Sequence, residues 1–231
     1  MSEAAYKTLM RIAVLLTLAW VGWTFYDTHT DNSNPESMEL AAAVKNLEDG
    51  NLEDALTAYG KVLGTHPDNL GALRGKAQTL MQFGNRYAKN SHLAQARGNQ
   101  SEADKLVTSA ADYYRRSLLD YDDAIRRQDA MEVSAEHLSI QGVAYANRGI
   151  LKDRMGDYQG ALSDYRMAMK LEPRVTEGPG FFTRFMRNQT DTPPTVQDRA
   201  RYLEEQLAKS GSEQLLQISE EDARQRPYKL D

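Results

Sequence analysis

The chain has no cysteine among its 231 residues. Disulfides, thiolate metal sites, a cysteine nucleophile and a lipidated cysteine are all excluded. The compartment stays open, because a cysteine-free chain suits oxidising and reducing surroundings alike. Histidine is nearly as scarce. His29, His66, His92 and His137 stand far apart and none has metal-ligand spacing, so each reads as a solvated or satisfied side chain rather than a ligand. There is no Gly-rich phosphate loop and no nucleophile elbow. Asp120, Asp122 and Asp123 form an acidic cluster without a Gly-containing calcium loop, which reads as a solvated helix face. The net charge of −5 lacks the positive excess that a broad phosphate-binding surface needs. Enzymatic activity, a cofactor, a small-molecule substrate and nucleic acid are therefore not expected. Two sequons, at Asn99 and Asn188, match the glycosylation pattern, which arises by chance at this frequency.

Long apolar runs are also scarce; there is one. From Ile12 to Tyr26 the chain carries no charge, and Thr8, Leu9 and Met10 extend the stretch close to spanning length, with Arg11 able to snorkel toward headgroups. Trp20, Trp23, Phe25 and Tyr26 crowd its C-terminal end, as an aromatic belt does. Lys7 and Arg11 precede the span. Asp27, Asp31, Glu36 and Glu39 follow it, and no Lys or Arg appears before Lys45. This asymmetry predicts a single-pass anchor in the cytoplasmic (inner) membrane, with the N-terminus in the cytoplasm and the rest on the periplasmic or extracytoplasmic side. The alternative is a signal peptide cleaved after Thr17-Leu18-Ala19. The short apolar core before that site, and the bulky aromatics after it, favour an uncleaved anchor.

The organisation expected from these patterns is an anchor over 1–26, a polar linker over 27–34, a helical domain over 35–175, and a closing region over 176–231. Asn34-Pro35-Glu36 reads as a helix start, with Asn as cap, Pro at the first position and an acid in the first turn. Within the domain, Gly50-Asn51-Leu52 matches Gly156-Asp157-Tyr158. Ala55 matches Ala161, Leu56 matches Leu162, Tyr59 matches Tyr165, Leu63 matches Met169 and Pro67 matches Pro173, every pair offset by 106 residues. Gly84-Asn85 supplies a further candidate turn, 34 residues after the first. Self-similarity at such a period marks a helical array, in which each hairpin buries its apolar face against its neighbours. Gly makes the turn, Ala allows close helix approach, Tyr fills the gap between hairpins and Pro stops the second helix.

These residues resemble the tetratricopeptide repeat. The best copy is 142–175, with Tyr145, Gly149, Tyr158, Ala161, Tyr165, Ala168 and Pro173 at signature places, and with departures at Arg148 and Lys152. A weaker copy, 36–69, has Ala43 for the usual Gly and Asn46 for the usual Tyr. The expected fold class is all-α: a tetratricopeptide-like array of about three helical hairpins, plus the N-terminal transmembrane helix and a C-terminal capping helix. The middle hairpin is lengthened. Leu73, Ala77, Leu80, Tyr87 and Ala94 continue one apolar stripe; Ala103, Val107, Ala110, Tyr114, Ser117, Tyr121 and Ala124 form another, with the turn at Gly98-Asn99-Gln100. Each arm over 70–128 then spans on the order of 40 Å. The alternative is a break at Gly84-Asn85, with an extra short helix.

The resemblance implies a concave groove lined by the first helices of successive hairpins. By register, Arg74, Gln78 and Met81 fall there in the middle copy, and Asn147, Ile150 and Asp153 in the last. Family members that clamp a peptide carboxylate use paired Lys/Arg and Asn residues; Arg74 and Asn147 do not complete that set. Ordinary solvated helix positions are the competing reading. The segment 181–187 holds Phe181, Phe182 and Phe185 with Met186, either plugging the end of the array or anchoring a partner or the membrane surface, with Arg184 and Arg187 toward headgroups. A capping helix is expected at 195–209, with Val196, Arg199, Ala200, Leu203 and Leu207 on one side. A short helix opened by Ser219, or an extended segment, follows it. The function these features imply is a membrane-anchored module for protein–protein interaction, an assembly factor or accessory subunit whose partners are membrane-associated proteins. The alternatives are a permanent structural subunit of a larger membrane complex, held by its span and aromatic loop, and a regulatory or peptidoglycan-associated factor with a small-molecule site.

Overall fold

A computed structural model describes residues 3–30, 35–177, 194–217 and 227–228. Among the described residues there are eight α-helices and no strands: α1 (Glu3–Thr30), α2 (Pro35–Glu48), α3 (Leu52–Thr65), α4 (Leu70–Ala96), α5 (Gln100–Asp129), α6 (Ala135–Arg154), α7 (Tyr158–Leu171) and α8 (Val196–Leu207). Residues 1–38 and 39–231 form two separate units.

The first unit is dominated by α1. Its segment Ala5–Trp23 is long and apolar enough to cross a membrane, and none of the apolar window is buried. The Thr17 hydroxyl donates to the Ala13 carbonyl at 2.9 Å, so this polar group is satisfied within its own helix, as a lipid surrounding requires. The helix continues to Thr30, into the expected polar linker. No Gly or Pro interrupts residues 23–30, and extending a helix is far easier than nucleating one.

In the second unit, the turns are set by side-chain chemistry. Gly50, Gly98 and Gly156 have φ of +81°, +77° and +82°, the left-handed conformation that closes a helix end and which side chains resist. Each is followed by an Asn or Asp preceding the next helix. Asn99 accepts from the Glu102 N–H at 3.2 Å and Asp157 from the Gly160 N–H at 2.9 Å. Asn69 caps α4 through the Ala72 N–H at 2.7 Å, and Ser134 caps α6 through the His137 N–H at 3.1 Å. The closing helix α8 has a reciprocal capping box between Thr195 and Asp198.

The middle hairpin is continuous. Gly84-Asn85, a candidate turn by spacing, lies inside α4. The physical role of Gly84 is close approach: a Cβ there would stand 2.4 Å from the Tyr114 ring, whose hydroxyl donates to the Asn85 side chain at 2.9 Å. The same device recurs. Tyr165 of α7 covers Gly149 of α6, where a Cβ would meet the ring at 2.7 Å. Tyr59 of α3 covers Gly75 of the following helix α4, at 2.2 Å. In the first hairpin Ala43 stands where the last has Gly149, and Tyr59 finds its glycine on α4 instead.

Two apolar clusters result. One gathers Ala43 and Leu47 of α2 with Leu52, Ala55, Tyr59 and Val62 of α3 and Ala72 and Phe83 of α4. The other joins Met81, Tyr114, Tyr121, Ile150, Tyr165 and Val175 to Val196, Ala200 and Leu203 of α8. The stripe on α5 is buried at Ala103, Ala110, Tyr114, Ser117, Tyr121 and Ala124, as its spacing predicts. Val107 is the exception, at 49% exposure. The α8 stripe is buried at Val196, Arg199, Ala200 and Leu203, with Leu207 half-buried.

Candidate partner-binding site

The first helices of the middle and last hairpins, α4 and α6, are neighbours. Met81 and Ile150 meet inside one core cluster at 0% and 1% exposure, where they contribute packing. Arg74 and Gln78 are half-buried. Arg74 donates to the Gln128 side-chain oxygen at 3.4 Å, and the Gln128 amide donates to the His137 carbonyl at 2.9 Å. Burial lowers the Arg74 pKa, since a low-dielectric surrounding penalises its charge. Tyr121 beneath it is fully buried; its hydroxyl has no hydrogen-bond partner among the described residues, and burial raises its pKa. Burial likewise pushes the Tyr59 hydroxyl up to about 12.

Asn147 and Asp153 are buried and engaged. The Asp153 carboxylate receives both Nε (2.6 Å) and Nη2 (2.7 Å) of Arg199 on α8, and the Tyr165 hydroxyl at 3.1 Å. Arg199 Nη2 also donates to the Leu216 carbonyl at 2.8 Å. This buried pair latches α8 onto α6, with each charge matched and hydrogen-bonded. Asn147 takes the main chain of Tyr228: its Nδ2 donates to the Tyr228 carbonyl at 3.0 Å, and its Oδ1 accepts from the Tyr228 N–H at 2.6 Å.

The departures from the repeat pattern at Arg148 and Lys152 have a shared partner. Arg148 donates twice to Asp164 of α7, at 2.7 Å each, and once to Asp122 of α5 at 2.7 Å; Lys152 reaches Asp164 at 3.0 Å. Burial opposes the Arg148 charge, but the bonds from the two carboxylates outweigh it and its pKa rises. Arg148 and Lys152 thus form an ion-paired seam with Asp164 and Asp122 that joins α6 to α7 and α5. The signal was an unmatched acid, Asp164, on the facing helix.

Phe181, Phe182, Phe185 and Met186 lie outside the described residues, as do Arg184 and Arg187. Among the described residues no group of three or more His, Asp or Glu side chains is placed to hold a metal ion. Periodicity did not single out Val175, Glu172 or Tyr228. Glu172 receives the Arg174 side chain at 2.7 and 2.9 Å, the Arg174 N–H at 3.1 Å, and the Ser139 hydroxyl. These bonds, led by that from Arg174, hold its pKa at about 2.

Together these features define a class: among the described residues the chain is all-helical, with one helix long and apolar enough to cross a membrane. Compared with protein-family models, curated proteins and solved structures, the chain finds no match.

Proposed function

We propose that the protein is a membrane-anchored protein–protein interaction module, an assembly factor or accessory subunit, with a tetratricopeptide-like helical array as its binding element. The observation that carries this reading is the presence in one chain of an unburied apolar helix, Ala5–Trp23, and a hairpin array that leaves Arg74 and Gln78 half-buried on α4. Three glycine turns in one conformation, three tyrosine-on-glycine contacts and the 106-residue self-match support the repeat assignment. The charge asymmetry of Lys7 and Arg11 against Asp27 and Asp31 favours an N-terminus in the cytoplasm and an array on the extracytoplasmic side of the inner membrane. Tethering raises the effective concentration of any partner in the same membrane, so a modest groove affinity suffices.

The proposed binding face centres on Arg74 and Gln78, half-buried on α4. Asn147 and Asp153 are buried and bonded within the chain, and Met81 and Ile150 belong to the core cluster. Purification of the tagged full chain from native membranes tests the reading: a discrete membrane protein should accompany it and be lost at high salt. Recovery of the chain alone, after mild cross-linking, would contradict it.

A further inference from the structure

The contact at Asn147 has the chemistry of peptide recognition, although both sides belong to one chain. An asparagine amide presents an NH2 donor group and a carbonyl acceptor side by side in one plane. Here they meet the carbonyl and the N–H of the same residue, Tyr228. The amide therefore does what an adjacent β-strand would do for an extended peptide: it satisfies the main chain of one residue regardless of its side chain. With Tyr228 docked, Asn147 is 4% exposed, so the contact shields its amide from water. The side chain is read separately. The Tyr228 hydroxyl donates to the Val175 carbonyl, and its ring packs against the core cluster that contains Val175 and Ile150. The preceding Pro227 brings no N–H that would need a partner.

The Tyr228 side of this contact is 81 residues from Asn147 in sequence, and the helices around Asn147 are joined by their own seams at Asp164 and Asp153. The docking is thus an addition to a site whose walls are already set. We propose that Asn147 and Val175 form a recognition site for an extended Pro-Tyr segment of a partner protein, and that the chain's own Pro227-Tyr228 holds this site closed in cis. This rests on the reading of the array as an interaction module, and it names the occupant. The partner must present a free main-chain N–H and C=O at one residue, a phenol on its side chain, and no donor before it.

The test uses the full chain in detergent micelles and a fluorescein-labelled peptide amide, Arg-Pro-Tyr-Lys-Leu, with the sequence of residues 226–230. Fluorescence anisotropy reports binding. Tyr228→Ala removes the hydroxyl bond and the ring packing of the cis occupant, which weakens its docking, and should bind the peptide about tenfold more tightly than the unaltered chain, because the competent fraction rises. A peptide N-methylated at its tyrosine nitrogen lacks the donor to Asn147 and should lose binding, with the protein untouched. Asn147→Asp in the Tyr228→Ala background should also lose it, with helicity and melting temperature retained as checks on folding. Absence of peptide binding to Tyr228→Ala, or equal binding of the N-methylated peptide, would overturn the proposal. So would a dimer of the unaltered chain that the peptide dissociates, since Tyr228 would then dock in trans. Failure of the membrane capture alone would leave peptide binding intact and sink only the module reading. Capture unaffected by Asn147→Asp, without peptide binding, would sink only this site.

Discussion

At the residue scale, the most consequential positions are those where a side chain is missing or a charge is hidden. Gly149→Ala would gain helix propensity in isolation, yet its Cβ would stand 2.7 Å from the Tyr165 ring. The ring is clamped between helices, so the substitution should lower stability by about 1–3 kcal/mol, read as a lower denaturation midpoint at unchanged slope. Arg199→Met leaves the Asp153 carboxylate buried without its guanidinium, and should cost about 3–5 kcal/mol. Adding Asp153→Asn should recover much of that loss, and strict additivity in the double-mutant cycle would show the latch to be unimportant. Glu172 gives a pH signature. Its folded value of about 2 lies below its ordinary 4.5, chiefly through its bond from Arg174, so its contribution is present above pH 4.5 and fades as pH falls toward 2. Glu172→Gln should flatten that part of the melting-temperature profile relative to the unaltered chain. Overlapping profiles would contradict it. Arg148 and Lys152 show why some of this was not legible: a charge at an apolar position reads as a defect until the facing helix supplies Asp164.

At the scale of elements, the hairpins were legible because their signals are local. Gly at the turn, an acid or amide after it, and a stripe of Ala and Tyr give α3, α5 and α7, and the apolar period from Val196 to Leu207 gives α8. Gly84 was ambiguous for a physical reason. Glycine marks both a turn and a close approach, and only Tyr114 on the facing helix decides which. Tyr228 was illegible because a single docked residue has no period; Asn147 could be placed on the groove by register, while what fills its amide depends on a contact across 81 residues. Ala161, at 0% exposure in the contact between α6 and α7, is the element-scale test. Ala161→Leu should overpack the hairpin and cost about 1–3 kcal/mol. An unshifted denaturation midpoint would mean that α7 does not pack as the repeat pattern requires.

At the scale of the whole molecule, the proposed function gives the apolar helix and the helical array one task in one membrane. The apolar span was plain from its lack of charge, whereas its sidedness depends on a few flanking charges and is a property of the membrane rather than of the fold. A reporter active only in the cytoplasm, fused after residue 231, should therefore stay silent; a strong signal would reverse the proposed topology. The most direct measurement of the central claim is photocross-linking in living cells from a benzoylphenylalanine placed at Gln78, half-buried on α4. Full-length chain should give one discrete adduct in the membrane fraction, and chain lacking residues 1–26 should give it weakly or not at all. No adduct, or the same yield without the anchor, would contradict a membrane-tethered binding module.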